Sequence, residues 1–230
     1  MSIWSDLWGL FFPRCCVLCG ERLQEGVEHL CFKCLSELPR TNFHLRRDNL
    51  MEKDLWGKLP LERAGAFLFY SKGGDARKLV YELKYYGNNR LGHFLGRCMA
   101  TELLPSGFFQ GIDFIVPVPL HEKKKRRRGY NQSEVLAQGL SEVTGIPVSD
   151  NLIVRSRYTD TQTRKSSYDR WMNVKDVFEC TSDKGLENRH ILMVDDVMTT
   201  GATIVACADA LSHVPELRIS VLTLALARES

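Results

Sequence analysis

The sequence predicts an α/β protein: a mostly parallel central sheet flanked by helices, with a small N-terminal cysteine module. Three observations carry this. From residue 63 onward, short apolar runs alternate with segments of helical periodicity, the pattern of a parallel sheet. At 189–203 the chain reads RHILMVDDVMTTGAT: an apolar run, two acids, a hydroxyl-rich glycine loop and the start of a helix. Near the N-terminus, Cys16-Val-Leu-Cys19 and Cys31-Phe-Lys-Cys34 form two C-x-x-C knuckles.

Taken in order, IWSDLWGLFF at the N-terminus is apolar but carries Asp6 and lacks a basic leader and a cleavage site, so it reads as a short packing helix. The two knuckles suit a tetrahedral Cys₄ zinc site with Cys16, Cys19, Cys31 and Cys34 as ligands, a redox pair being the alternative. Four thiolates fill the shell, so the zinc is expected to be structural. Residues 35–60 read as the tail of that module and a linker, with a short helix near 50–56. The expected organisation is therefore 1–60 for helix, module and linker, and 61–230 for the main domain.

Arg63–Tyr70 is an expected strand, broken by Gly73-Gly74. Leu79, Val80 and Leu83 place a helix from Asp75 to near Gly87, and 91–104 continues as another. Asp113–Val118 is a strand stopped by prolines. Residues 120–132, LHEKKKRRRGYNQ, read as a polar loop with six consecutive basic residues, ahead of a helix capped by Asn131 and ended by Gly145 and Pro147. Strands are expected at 152–154 and 174–180, separated by a long polar loop, 157–173, whose length favours function over idle connection. After the acidic pair, which is expected to end its strand, a helix follows, and 217–226 is expected to close the sheet.

Composition limits the functional classes. At 44% hydrophobic and 26% charged residues the chain is globular, and no apolar run approaches a membrane span. Without a signal sequence the expected location is cytoplasmic. A net charge of +3 means that any nucleic-acid role rests on a local patch.

The loop at 199–203 has the chemistry of a phosphate cradle. Gly201 lets backbone approach a ligand, the following helix N-terminus offers N–H donors, and Thr199, Thr200 and Thr203 add hydroxyls. No Gly-Lys-Ser/Thr ends it, so it is not a Walker loop. Asp195 and Asp196 would repel a phosphate, and suit sugar hydroxyls or Mg²⁺ instead. Phosphate beside a vicinal diol describes a ribose 5-phosphate, while the bland alternative is an Asp-rich turn and a capped helix. The basic run suits either pyrophosphate, through the fork of Arg128 at a helix start, or nucleic acid, or a solvated face.

ILMVDDVMTTGAT resembles the phosphoribosyl-pyrophosphate (PRPP) motif of type I phosphoribosyltransferases. With the cysteine knuckles, IVPVPLHEKKKRRRGYNQSEVLA and TQTRKSSYDRWMNVKDVF, the whole chain resembles the ComF family, zinc-containing phosphoribosyltransferase-like proteins, some linked to DNA uptake in natural transformation. The resemblance implies a type I phosphoribosyltransferase fold that binds PRPP with Mg²⁺. Asp195 and Asp196 would hold the ribose hydroxyls. Val197, Met198, Thr199, Thr200, Gly201, Ala202 and Thr203 would surround the 5-phosphate. Arg128, Gly129, Asn131 and Gln132 would lie by the pyrophosphate, and Gln162 and Arg170 would sit in a mobile active-site loop. Asp195, Asp196 and Arg128 are the expected catalytic residues. Lys84 and Tyr85 occupy a similar K-Y-x-G element whose role stays open. The implied reaction transfers phosphoribose to an unidentified acceptor. The implied alternative is a non-catalytic PRPP sensor or single-stranded-DNA handler working with competence machinery, with Lys123–Lys125 as the DNA contact.

Overall fold

The computed structural model describes residues 14–156 and 177–227. The expected N-terminal helix, all of the 157–173 loop with Gln162 and Arg170, and the start of the 174–180 strand lie outside the described residues. The elements, in chain order, are α1 (Phe32–Ser36), a 3₁₀ turn (Phe43–Leu45), α2 (Leu50–Leu55), β1 (Leu61–Tyr70), α3 (Asp75–Tyr85), α4 (Asn89–Leu103), β2 (Phe114–Pro117), α5 (Glu122–Arg128), α6 (Gln132–Thr144), β3 (Ile153–Arg155), β4 (Phe178–Cys180), β5 (His190–Met198), α7 (Ala202–Asp209) and β6 (Arg218–Ala227).

The main sheet has the order β1-β6-β5-β2, every pairing parallel. Both faces are covered, which is why these strands read as near-continuous apolar runs. Along β5, Leu192 and Val194 join the core beneath α3, α4 and α6, while Ile191 and Met193 join the core beneath α2 and α7. This alternation is the two-residue period of a strand. Leu30 and Leu38 from the cysteine module belong to the first core, and Phe43, Met51 and Leu55 to the second. Residues 38–55 are tied to β1 by polar contacts as well. Asn49 donates to the Ala64 carbonyl at 2.8 Å, and Glu52 accepts from Arg63 Nε and the Ala64 N–H, each at 3.2 Å.

Helices α4 and α6 cross where Gly96 meets Gly139. A Cβ on Gly139 would lie 2.1 Å from the His93 carbonyl oxygen, and one on Gly96 would lie 2.3 Å from that of Leu136. Backbone sits against backbone here, so no larger residue fits without moving a helix, and the crossing fixes where α6 begins.

Four expectations change. The basic run is a helix, α5. Lys, Arg and Glu are good helix formers, and the His121 side chain accepts from the Lys123 N–H at 3.1 Å as N-cap. Gly129, at φ 85°, ends the helix, and its basic last turn complements the dipole. Strand β5 does not stop at the acids: Asp195 pairs with Thr223 and Val197 with Ala225, because β6 is long enough to carry it on. Strand β6 does not close an edge but lies between β1 and β5. Strands β3 and β4 form their own antiparallel pair outside the main sheet.

Candidate functional site

The neighbouring strands β2 and β5 send their chains to opposite faces. After β2, helix α6 packs with α3 and α4; after β5, helix α7 packs on the other side. Such a divergence opens a crevice outside the carboxyl ends of the two strands, where ligands of open α/β sheets bind. Asp195 and Asp196 stand at this crevice.

The acids are held by named partners. Asp195 Oδ1 accepts from the Ser133 hydroxyl at 3.0 Å and from the Asp196 N–H at 2.8 Å. Asp196 is buried, and its Oδ2 lies 3.0 Å from the ammonium of Lys84, near the end of α3. Burial, and then the charge of Asp196, push Asp195 up to about 7. Burial alone would lower Lys84, but Asp196 outweighs it and raises its pKa. The pair thus sits close to a cation already. Two adjacent carboxylates, one of them paired with an ammonium, offer oxygen donors of the kind a magnesium ion takes, so the donor set fits Mg²⁺.

Beyond them, Thr199 is exposed, and Thr200 accepts from the Ala202 N–H at 3.5 Å. Gly201 caps α7 in the left-handed conformation at φ 78° with no side-chain cap bond, and a Cβ there would come within 2.9 Å of Leu55 on α2. The glycine is required both by its φ and by that close approach. Val197 and Met198 belong to β5, and Ala202 and Thr203 open α7.

Across the crevice, Arg128 Nη1 donates to Gln132 Oε1 at 2.6 Å, and its guanidinium carbon lies 5.9 Å from the Tyr85 ring centre. Arg128 Nε is buried without an acceptor among the described residues. Asn131 is a positioning group: its amide donates to the Val118 carbonyl at 3.0 Å and its Oδ1 caps Ser133. Tyr130 and Gln132 both donate to the Leu83 carbonyl, at 2.5 and 3.3 Å. These bonds tie the 128–133 segment to the end of α3, beside Lys84. Lys124 is buried and Lys125 pairs with Glu134 at 2.8 Å, so the outward charges of α5 are Lys123, Arg126 and Arg127.

Sequence reasoning missed Ser133 and left Lys84 without a role. Ser133 lies two residues after Asn131, at the backbone N–H that the Asn131 cap engages. Lys84 gives no local signal, because its partner is distant in sequence.

The four cysteine sulfurs lie within 4.8 Å of one another, with Cys19 and Cys31 Sγ 3.8 Å apart. A zinc tetrahedron with bonds of about 2.3 Å has edges of about 3.8 Å, so the cluster fits that metal. Burial raises the Cys16 thiol, but the N–H groups of Cys19, Cys31 and Leu18 outweigh it and hold it down to about 6. Burial and neighbouring thiols push Cys34 up, a crowding that a bound cation would relieve.

Parallel sheet, strand-end motif and four-cysteine module together define a phosphoribosyltransferase-like protein with a candidate zinc module. The chain is 39% identical to Competence protein F of Haemophilus influenzae over 202 residues, covering 84% of this chain and 76% of that one. It is 30% identical to DNA utilization protein YhgH of Escherichia coli K12 over 207 residues, 89% of this chain and 84% of that one. The chain belongs to the ComF family with these relatives. Adenine phosphoribosyltransferase, a solved structure, is 17% identical with a TM-score of 0.38 over 60% of this chain and 73% of that one, a partial likeness on which nothing further rests. No protein-family model matches the chain. Among the described residues, no helix is long and apolar enough to cross a membrane.

Proposed function

We propose that the chain binds PRPP at the β5 crevice and transfers phosphoribose to an acceptor, in the cytoplasm. The observation that carries the reading is the acidic pair near the carboxyl end of β5, followed by the Thr199-Thr200-Gly201 loop and the start of α7. Asp195 and Asp196 accept from the ribose hydroxyls. N–H groups from Thr199 to Thr203 take the 5-phosphate, favoured by the positive end of α7. Arg128, whose buried Nε lacks an acceptor among the described residues, and Gly129 face the pyrophosphate, with Asn131 and Gln132 fixing that segment. Gln162 and Arg170 are proposed to close over the ligand. Magnesium bound with PRPP would neutralise the pyrophosphate.

In the transfer, the bond between the anomeric carbon and pyrophosphate breaks, and its electron pair leaves with pyrophosphate. The acceptor's lone pair forms the new bond, and its proton passes to solvent. The protein's share is positioning and charge stabilisation. The test is release of labelled pyrophosphate from PRPP with a panel of purines, pyrimidines and amines. Turnover with any of them supports transfer. PRPP binding without turnover leaves a sensor in its place.

A second reading is favoured by the surface beside the crevice. Tyr81, Tyr85 and Tyr86 are exposed at 42%, 61% and 73%, close to a basic helix, a combination that suits single-stranded DNA. Because Lys124 is buried and Lys125 is paired, the DNA-facing side chains of α5 become Lys123, Arg126 and Arg127 in place of Lys123–Lys125. Replacing these three with alanine should lower the salt slope of single-stranded DNA binding by about 0.7 for each phosphate no longer neutralised. An unchanged slope removes DNA from α5.

A further inference from the structure

A cavity of about 590 Å³ opens along the seam between the cysteine module and the first half of α4. That volume lies within the range of small-molecule sites. Its polar lining includes Arg14, Arg90, Arg97, His29, His93 and the carboxylate of Glu28, while Val17 and Leu23 supply an apolar wall. We propose that this seam cavity binds a nucleoside monophosphate, with the phosphate on Arg14, Arg90 and Arg97 and the base against Val17, Leu23 and the His29 ring.

The charge balance supports an anion. Arg97 is paired with Glu28 and, at 3.8 Å, with Glu142, which also lies 3.2 Å from His93. Those two acids are therefore already engaged. Arg14 and Arg90 are exposed at the cavity and make no ion pair with described residues. Arg97 Nε is buried with no acceptor among the described residues, and an entering phosphate oxygen would provide one. Asn88 uses its Oδ1 to cap the Leu91 N–H at 3.1 Å, which leaves its NH₂ as a donor at the same rim.

The rest of the lining favours a flat group over a bare phosphate. The His29 ring packs on Phe94 with centres 5.5 Å apart. A supported flat ring beside two aliphatic side chains is a surface on which a base can stack. Arginine forks take phosphate bidentately. A solvated cationic face would serve neither purpose, and here the cations converge on a concave wall.

The test is calorimetric titration of the zinc-loaded full chain with AMP, GMP, CMP and UMP. Wild type is compared with Arg90→Glu, Arg14→Glu and the Asp195→Ala/Asp196→Ala double variant. The double variant separates this cavity from a nucleotide seated at the β5 crevice. Arg90 lies in the first turn of α4, where an acid suits the helix dipole, so the reversal should fold, with zinc content and Tm as checks. The expected result is that at least one nucleotide binds wild type and the double variant equally, and binds each charge reversal about tenfold or more weakly. Equal affinity in the charge reversals, loss confined to the double variant, or no binding of any of the four nucleotides to wild type would overturn the proposal.

Discussion

The ammonium of Lys84, on α3, lies 3.0 Å from Asp196 Oδ2, on β5, with both side chains largely buried. One end of the sheet thus carries two adjacent acids and a lysine drawn from a helix far away in sequence. Removing one member of a buried ion pair leaves the other uncompensated, at a cost of about 3 kcal/mol. Lys84→Met should therefore lower Tm. If the acids accept magnesium, Mg²⁺ alone should recover more of that stability in the variant than it adds to wild type. Differential scanning calorimetry with and without Mg²⁺ measures both, and an equal Mg²⁺ shift in the two proteins would count against a cation site at the acids.

Asp195 carries a pH signature. Its native pKa is raised to about 7 by burial and by Asp196, well above the ordinary carboxylate range. The native state therefore holds this proton more tightly than the unfolded chain does. The group costs nothing below its unfolded pKa, costs more as pH rises towards 7, and costs a constant amount above that. Asp195→Asn should raise Tm most at pH 8 and progressively less towards pH 5. Ligand binding should weaken as pH falls through about 7, since a protonated Asp195 no longer offers a full acceptor pair. Melting curves from pH 5 to 8.5 decide the first point; a variant-to-wild-type difference that is flat with pH would contradict it.

The cysteine cluster makes a third claim. With four sulfurs within 4.8 Å of one another, the purified chain should hold one zinc, and Cys16→Ser should lose it. Because Leu30 and Leu38 share a core with α3 and α4, metal loss should lower the Tm of the chain rather than unfold the module by itself. Elemental analysis and melting after chelation test this, and full zinc content in Cys16→Ser would remove the assignment.

Local signals were legible in the sequence and tertiary ones were not. The paired cysteines, the Asn131 cap with its Gly145 stop, and the apolar face of α3 are written in short spacings that need no partner. Helix α5 was hidden because an unbroken run of charge has the polarity of a loop, although each residue in it favours helix. The internal place of β6 was hidden because an apolar run reports burial and not strand order. The pairings Lys84–Asp196 and Ser133–Asp195 join α3 and α6 to β5 across long sequence separations, which only the assembled fold brings about.

The central claim is that the β5 crevice is a PRPP site built on two acids. Isothermal titration of PRPP with Mg²⁺ into wild type and into Asp195→Ala/Asp196→Ala tests it most directly. Binding to wild type that requires Mg²⁺, and a loss of about tenfold or more in a double variant that still melts cooperatively, is the expected result. Unchanged PRPP affinity in the folded double variant, or no binding to wild type, would contradict it.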